Sequence, residues 1–295
     1  MIPAVKAANT TALDPTLGLR GDYSRMDQHW VTAQNWADYT AAEHDLWRQL
    51  YARQVGVART YAADAFLTGL KTLQMPEDRI PHFDEASEKL RALTGWTIVA
   101  VPGLIPEDAF FLHLAKRQFP VTVWLRRPDE IDYLVEPDVF HDFFGHVPLL
   151  SQPIFADYLQ EYGRKGIEAI ELGTTKMLTR LFWYMVEFGL IRGADGIKAY
   201  GAGMLSSATE TAFSVASKEP NRIGFDLKRI MHTDYRIDSF QQSYFVIDDF
   251  SDLFSAMQQP FAPLYEAVKK LPLIPANVLL DTDKVLQVGT QSMAS

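Results

Sequence analysis

Hydrophobic positions recur at helical spacing along most of the chain and at strand spacing only in short runs, a pattern that predicts a mainly α protein with minor β. Thr40-Ala41-Ala42-Glu43 has capping-box spacing, and Leu46, Trp47, Leu50 and Tyr51 then trace the apolar stripe of a first helix. A second helix is predicted over Ala62 to Leu73. After interruptions at Pro76 and Pro81, a third runs from Asp84 to Leu93 and stops at Gly95. Trp96 to Val101 reads as a short strand broken by Gly103, and Pro106-Glu107-Asp108 supplies the proline and acidic first turn of a helix reaching about Lys116. Val121 to Leu125 is a second short strand. Pro153 to Gly193 reads as helical, with Gly163, Gly166 and Gly173 as breaks or close-packing points. Tyr200 to Ser207 is a small-residue turn leading into a helix, and the tail reads as a strand, Tyr244 to Ile247, followed by a helix from Phe254 to Leu271. Nothing repeats at a fixed period. Residues 1–22 are rich in Ala, Thr and Pro without periodicity, so we expect a poorly ordered leader, structure from about Trp30, and one folded domain over residues 23–295.

Within this pattern, Glu136 to Leu150 sets two imidazoles, His141 and His146, in apolar and aromatic surroundings. Each ring nitrogen needs a hydrogen-bond partner or a ligand once water is removed, and one metal ion would satisfy both rings. On an ideal helix a five-residue offset turns side chains apart by roughly 140°, so the two reach one ion only near a helix end or a distortion. Gly145 offers the freedom for one. The bland alternative is two independently satisfied core histidines. Glu187 supplies a third ligand, because it is the only charge in Leu181 to Ile191 and its helical neighbours Trp183, Tyr184, Leu190 and Ile191 offer it no cation. Pairing with a distant arginine, or reaching solvent, is the competing account of that carboxylate. Two imidazoles and a carboxylate form the facial triad of non-haem Fe(II) oxygenases and also occur in hydrolytic zinc sites, so the ligands alone do not choose the metal.

Composition narrows the function classes. The chain has 295 residues, 47% of them hydrophobic, enough for one large core. It has no cysteine, which excludes disulfides, cysteine-zinc sites, iron–sulfur ligation and thiolate catalysis. A net charge of −9 disfavours nucleic acid or an anionic membrane as the main partner and leaves small molecules. No signal-peptide pattern or long apolar run occurs, and a cytoplasmic protein is expected.

Three motifs, in order and with compatible spacing, carry a family resemblance: Asp138-x-x-His141-Asp142-x-x-Gly145-His146-Val147-Pro148, Val186-Glu187-Phe188-Gly189-Leu190, and Lys198-Ala199-Tyr200-Gly201-Ala202-Gly203-x-Leu205-Ser206-Ser207. Over nearly all of residues 30–275 the chain resembles the tetrahydropterin-dependent aromatic amino acid hydroxylases, most closely the short bacterial members that act on phenylalanine. The resemblance implies that family's catalytic-domain fold, a basket of helices with a small peripheral β-sheet. It implies a ferrous ion, Fe(2+), held by His141, His146 and Glu187. It implies tetrahydrobiopterin or a related tetrahydropterin stacked on Phe110, with the backbone of Gly103, Leu104 and Ile105 along the ring edge and Asp142 nearby. Arg126 is expected to bind the amino acid carboxylate in bidentate fashion, oriented by Asp138, with Ser206 near both a ligand histidine and the substrate and Trp183 as pocket wall. Arg126 with Arg127 is otherwise a solvated surface pair, and Phe110 plain core.

The reaction implied is hydroxylation of L-phenylalanine to L-tyrosine, with O2 activated between reduced pterin and iron and no side chain assigned as obligatory acid or base. Phe182, Pro120 and Asp142 stand where animal members have tyrosine, histidine and glutamate. Ile237 falls where tyrosine-hydroxylating members carry a carboxylate, and an apolar residue there suits an unsubstituted ring. With no room for a regulatory or tetramerisation segment, an unregulated monomer is expected. Tryptophan or tyrosine hydroxylation, a zinc hydrolase and a non-catalytic helical module are the alternatives.

Overall fold

The computed structural model describes residues 19–132, 134, 136–237 and 239–290. Eleven helices in that span are α1 Ala41–Tyr61, α2 Asp64–Thr72, α3 Phe83–Thr94, α4 Glu107–Ala115, α5 Pro153–Glu171, α6 Thr175–Phe182, α7 Ala202–Leu205, α8 Ala208–Ala216, α9 Leu227–Met231, α10 Phe250–Met257 and α11 Phe261–Val268. Seven strands accompany them: β1 Thr97–Val101, β2 Gln118–Thr122, β3 Leu190–Gly193, β4 Gly196–Ala199, β5 Asn221–Gly224, β6 Ser243–Ile247 and β7 Val285–Gln287. This is the expected basket of helices with minor β.

Local chemistry explains most boundaries. The capping box closes at both ends, Thr40 N–H donating to Glu43 Oε2 at 2.7 Å and Glu43 N–H to Thr40 Oγ1 at 3.2 Å. The stripe Leu46, Trp47, Leu50 and Tyr51 is buried. Gly95 ends α3 at φ 78°, a conformation that glycine adopts at little cost. Gly163 and Gly166 are packing points inside α5: a Cβ would stand 2.5 Å from the Ala115 nitrogen at the first and 2.1 Å from the Phe111 ring at the second, so α4 can lie directly on α5.

Several expectations need correction. The second strand is Gln118–Thr122, three residues before the predicted Val121 start, because it pairs in parallel with β1 in the register Thr97↔Gln118 to Val101↔Thr122. Helix does not continue to Gly193; Leu190–Gly193 is a strand, forming a hairpin with β4. The predicted helix from Phe254 to Leu271 is two helices, α10 starting at Phe250 and α11 capped by Pro260. A five-stranded sheet ordered β4-β3-β6-β5-β7 joins the β3–β4 hairpin to strands far away in sequence, and of the five only β6 was expected. Structure also begins before Trp30. Of the expected leader, residues 1–18 lie outside the described residues, whereas the Arg20 amide donates to Glu136 Oε2 at 3.0 Å and its guanidinium meets Glu130 at 2.6 Å.

Candidate metal and pterin site

The histidine segment solves its geometric problem by changing helix type. Phe140–His146 is a π-helix, whose hydrogen bonds run from each residue to the fifth, so residues five apart stand one turn apart on the same face. His141 and His146 are thereby brought together, ring centroids 5.2 Å apart. Glu187 ends a second π segment, Trp183–Glu187, sealed by the Phe188 amide donating to the Trp183 carbonyl at 2.9 Å. Gly145 has a different role from the one expected of it. Its backbone is not strained; a Cβ there would come within 2.9 Å of the Ala202 carbonyl oxygen, so glycine lets α7 press against the histidine helix. Gly201 serves the other side, where a Cβ would stand 2.4 Å from the Glu187 carbonyl oxygen.

The three predicted ligands converge. His146 Nε2 lies 3.2 Å from Glu187 Oε1, and His141 Nε2 lies 3.6 Å from Glu187 Oε2. That second oxygen is buried and has no hydrogen-bond partner. Ser206 Oγ donates to the Ala202 carbonyl at 2.9 Å, so at 2.8 Å from His141 Nδ1 it accepts the ring proton. His141 therefore presents an unprotonated Nε2 toward a carboxylate oxygen, two lone pairs facing one another in a buried space. A cation between them removes the repulsion, and the donor set fits iron.

Electrostatics agree. Burial would raise the Glu187 carboxyl, yet the facing rings of His146 and then His141 hold it below the ordinary carboxylate range. Burial opposes a charged His146, but Glu187 and then Asp142 raise its pKa. A positive charge, proton or metal, is thus favoured at this point. Ligand-capable atoms of His141, Asp142 and His146 also lie within 4.8 Å of one another. Glu187 fits the third place better than Asp142, whose Oδ2 already accepts the Thr122 amide at 2.8 Å and whose carboxyl burial raises toward the neutral form.

Beside the ligands opens a cavity of about 250 Å³. Gly103, Leu104, Ile105, Phe110 and Asp142, the expected pterin contacts, all line it together with His141, His146 and Glu187. Phe110 meets Phe182 edge to face at 5.4 Å. The Leu104 segment is held from behind by Tyr23, whose hydroxyl donates to the Leu104 carbonyl at 2.9 Å. Sequence reasoning missed Phe119, which packs on the His146 ring at 5.0 Å. Its position in an apolar strand gave no signal.

The expected amino acid contacts lie elsewhere around the ligands. Arg126 is buried and forked onto fully buried Asp138, Nε to Oδ2 at 2.8 Å and Nη2 to Oδ1 at 2.9 Å. Burial would raise the Asp138 carboxyl, but Arg126 and the His141 amide hold it below its ordinary value. The surface-pair account of Arg126 is therefore overturned. Asp138 Oδ1 also accepts the His141 amide at 2.9 Å, tying the arginine to the histidine helix. Trp183 does not line the cavity; its indole donates to Gln241 Oε1 at 3.0 Å and stacks on Tyr235. Ile237 is 74% exposed and makes no pocket wall in this conformation. Gln241 and its anchor Glu210 were not anticipated, although Glu210 is the only charge between Lys198 and Lys218, the same signal that exposed Glu187.

This fold and donor set are those of a pterin-dependent iron enzyme, and comparison with known proteins agrees. The model of the biopterin-dependent aromatic amino acid hydroxylases matches residues 26–271, and the chain belongs to that family. It is similar to a phenylalanine-4-hydroxylase of Ralstonia nicotianae, 53% identical over 274 residues, covering 93% of this chain and 87% of the relative. A phenylalanine-4-hydroxylase of Chromobacterium violaceum is 54% identical over 251 residues, covering 85% of this chain and 84% of the relative. The solved structure of the Chromobacterium violaceum phenylalanine hydroxylase with bound oxidised Fe(III) superposes with a TM-score of 0.87 at 53% identity, covering 88% of this chain and 95% of that one. No described helix is long and apolar enough to cross a membrane.

Proposed function

We propose that this chain is a phenylalanine 4-monooxygenase, converting L-phenylalanine, O2 and a reduced tetrahydropterin to L-tyrosine and a hydroxylated pterin that carries the second oxygen atom. The observation that carries the reading is the buried Glu187 Oε2, without a hydrogen bond and 3.6 Å from His141 Nε2. That arrangement suits a cation held by His141, His146 and Glu187. The substrate follows the names of relatives at about half identity over most of the chain. Iron and reduced pterin, when bound, supply the activation of oxygen.

The side chains then position and shield. Phe110 offers a ring face for the pterin, and the backbone of Gly103 to Ile105 offers hydrogen bonds along its edge. Arg126, fixed by Asp138, presents its remaining N–H groups to the amino acid carboxylate. Ser206 keeps the proton of His141 on Nδ1, so the ring serves as a ligand and not as an acid. The wall formed by Phe119, Phe182 and Phe110 keeps water from the reacting centre. No side chain is required to move a proton. Residues 23–295 act as one catalytic domain, and a cytoplasmic monomer that exchanges only small molecules suffices for this chemistry.

Anaerobic reconstitution with Fe(II), followed by oxygen, reduced tetrahydropterin and phenylalanine, tests the reading. Tyrosine detected by mass spectrometry from the parent, but not from His146→Ala, supports it. No tyrosine despite bound iron refutes the substrate assignment, and turnover without oxygen or reductant would point to the zinc hydrolase instead.

A further inference from the structure

Glu210, on α8, is a buried acid outside the metal ligands, 8% exposed. Its Oε1 accepts the Tyr244 hydroxyl at 2.9 Å and the Gln241 backbone amide at 3.2 Å. Gln241, 3% exposed, carries that anchor toward the site. Its side-chain oxygen accepts the Trp183 indole N–H at 3.0 Å, and its side-chain nitrogen donates to the Arg236 carbonyl at 2.9 Å. Trp183 in turn opens the π segment that ends at Glu187, and its ring lies on Tyr235 at 4.5 Å and Phe188 at 4.7 Å.

A core that needed only packing would place an apolar residue at 241, because a buried amide and carboxyl are costly unless their partners are all in place. Here the partners are in place, and what they fix is one orientation of Trp183 and the backbone at Arg236 and Gln241, in the segment that carries Ile237 and Phe240. Apolar packing does little for that segment, since Ile237 is 74% and Phe240 40% exposed. Neither Trp183, Gln241 nor Glu210 lines the cavity that holds the expected pterin contacts, so a change at Gln241 leaves those contacts in place.

We propose that Gln241, anchored by Glu210, is a positioning residue for the aromatic amino acid. It locks the Trp183 ring, the expected wall of the substrate's seat, and through its bond to the Arg236 carbonyl it holds the backbone at that residue beside the ring. The proposal rests on the proposed function and on the pocket-wall role that the family resemblance implies for Trp183.

The test is Gln241→Met, which keeps the length of the side chain and removes both of its hydrogen bonds, made in the full chain and compared with the parent. Calorimetry on the Co(II)-loaded proteins reads the dissociation constant for phenylalanine, and turnover with Fe(II) reads KM and the product formed per pterin oxidised. We expect phenylalanine binding and KM to weaken about tenfold, equivalent to ~1.4 kcal/mol. Product per pterin falls with it, while the pterin KM and the metal affinity stay within about twofold of the parent. A folded variant with parental phenylalanine binding overturns the proposal and leaves Gln241 a stability residue. Should Gln241→Met not fold, Trp183→Phe keeps a smaller aromatic ring and loses the N–H that Gln241 accepts; about threefold weaker phenylalanine binding supports the proposal, and unchanged binding overturns it. A parent that binds no aromatic amino acid overturns the functional reading beneath it, and is recognised because parent and variants then fail alike.

Discussion

Ser206 decides which nitrogen of His141 is free. Its hydroxyl proton is committed to the Ala202 carbonyl, so the ring must donate from Nδ1 and keep a lone pair on Nε2. Ser206→Ala removes that constraint, and we expect Co(II) affinity to fall about 10- to 100-fold in a direct titration with the fold intact. Parental affinity would mean that the tautomer is set by something else. Glu210 gives a second prediction at this scale. Burial raises its pKa to about 7, against an ordinary value of 4.5. The folded protein therefore holds a proton that the unfolded chain releases between those values, and its contribution to stability is full below pH 4.5 and lost as pH rises through about 7. At about 1.4 kcal/mol per pKa unit the effect is on the order of 3 kcal/mol, and Glu210→Gln should flatten that part of the curve of melting temperature against pH. A slope unchanged in the variant would assign it to other groups. Glu187 was legible as a lone charge in an apolar run, and Glu210 passes the same test. What the sequence hid was the partner, since Gln241 and Tyr244 meet Glu210 only through tertiary packing.

At the scale of elements, the five-residue spacing of His141 and His146 announced a distorted helix, and the π-helix is that distortion. Helices with caps and stripes, such as α1 and α3, were legible because their signals are local. The strands β3, β4, β5 and β7 were not, because each runs only three or four residues and, apart from the β3–β4 hairpin, they are joined into a sheet only by pairing between distant segments. Gly145 was legible as important but for the wrong reason: its value is the contact with Ala202, which no local pattern records. Gly145→Ala places a methyl 2.9 Å from the Ala202 oxygen and must push α7, with Ser206 at its end, away from the histidines. We expect about 1–3 kcal/mol of destabilisation by denaturant titration, together with weakened metal binding. Loss of stability with parental metal affinity would show that α7 can shift without disturbing the ligands.

For the molecule as a whole, the core does not depend on the metal. Its large side chains, among them Trp47, Trp96, Tyr158 and Tyr200, are buried against other side chains, so the apoprotein should be folded and its stability linked to metal by mass action. Without metal, the elevated pKa of His146 and the depressed one of Glu187 describe a proton occupying the cation's place. Metal must displace that proton, so affinity falls as pH drops below the His146 pKa, by up to about tenfold per pH unit for the one proton released. At a hundredfold excess over Kd the bound metal adds about 2.7 kcal/mol, a rise in melting temperature on the order of 5 °C for a domain of this size. Scanning calorimetry with Co(II) or with a chelator should show that shift in the parent, a smaller one at pH 6 than at pH 8, and none in His146→Ala. A shift that persists in His146→Ala would place the stabilising metal elsewhere, and one that grows as pH falls would contradict the shared-proton account of the ligands.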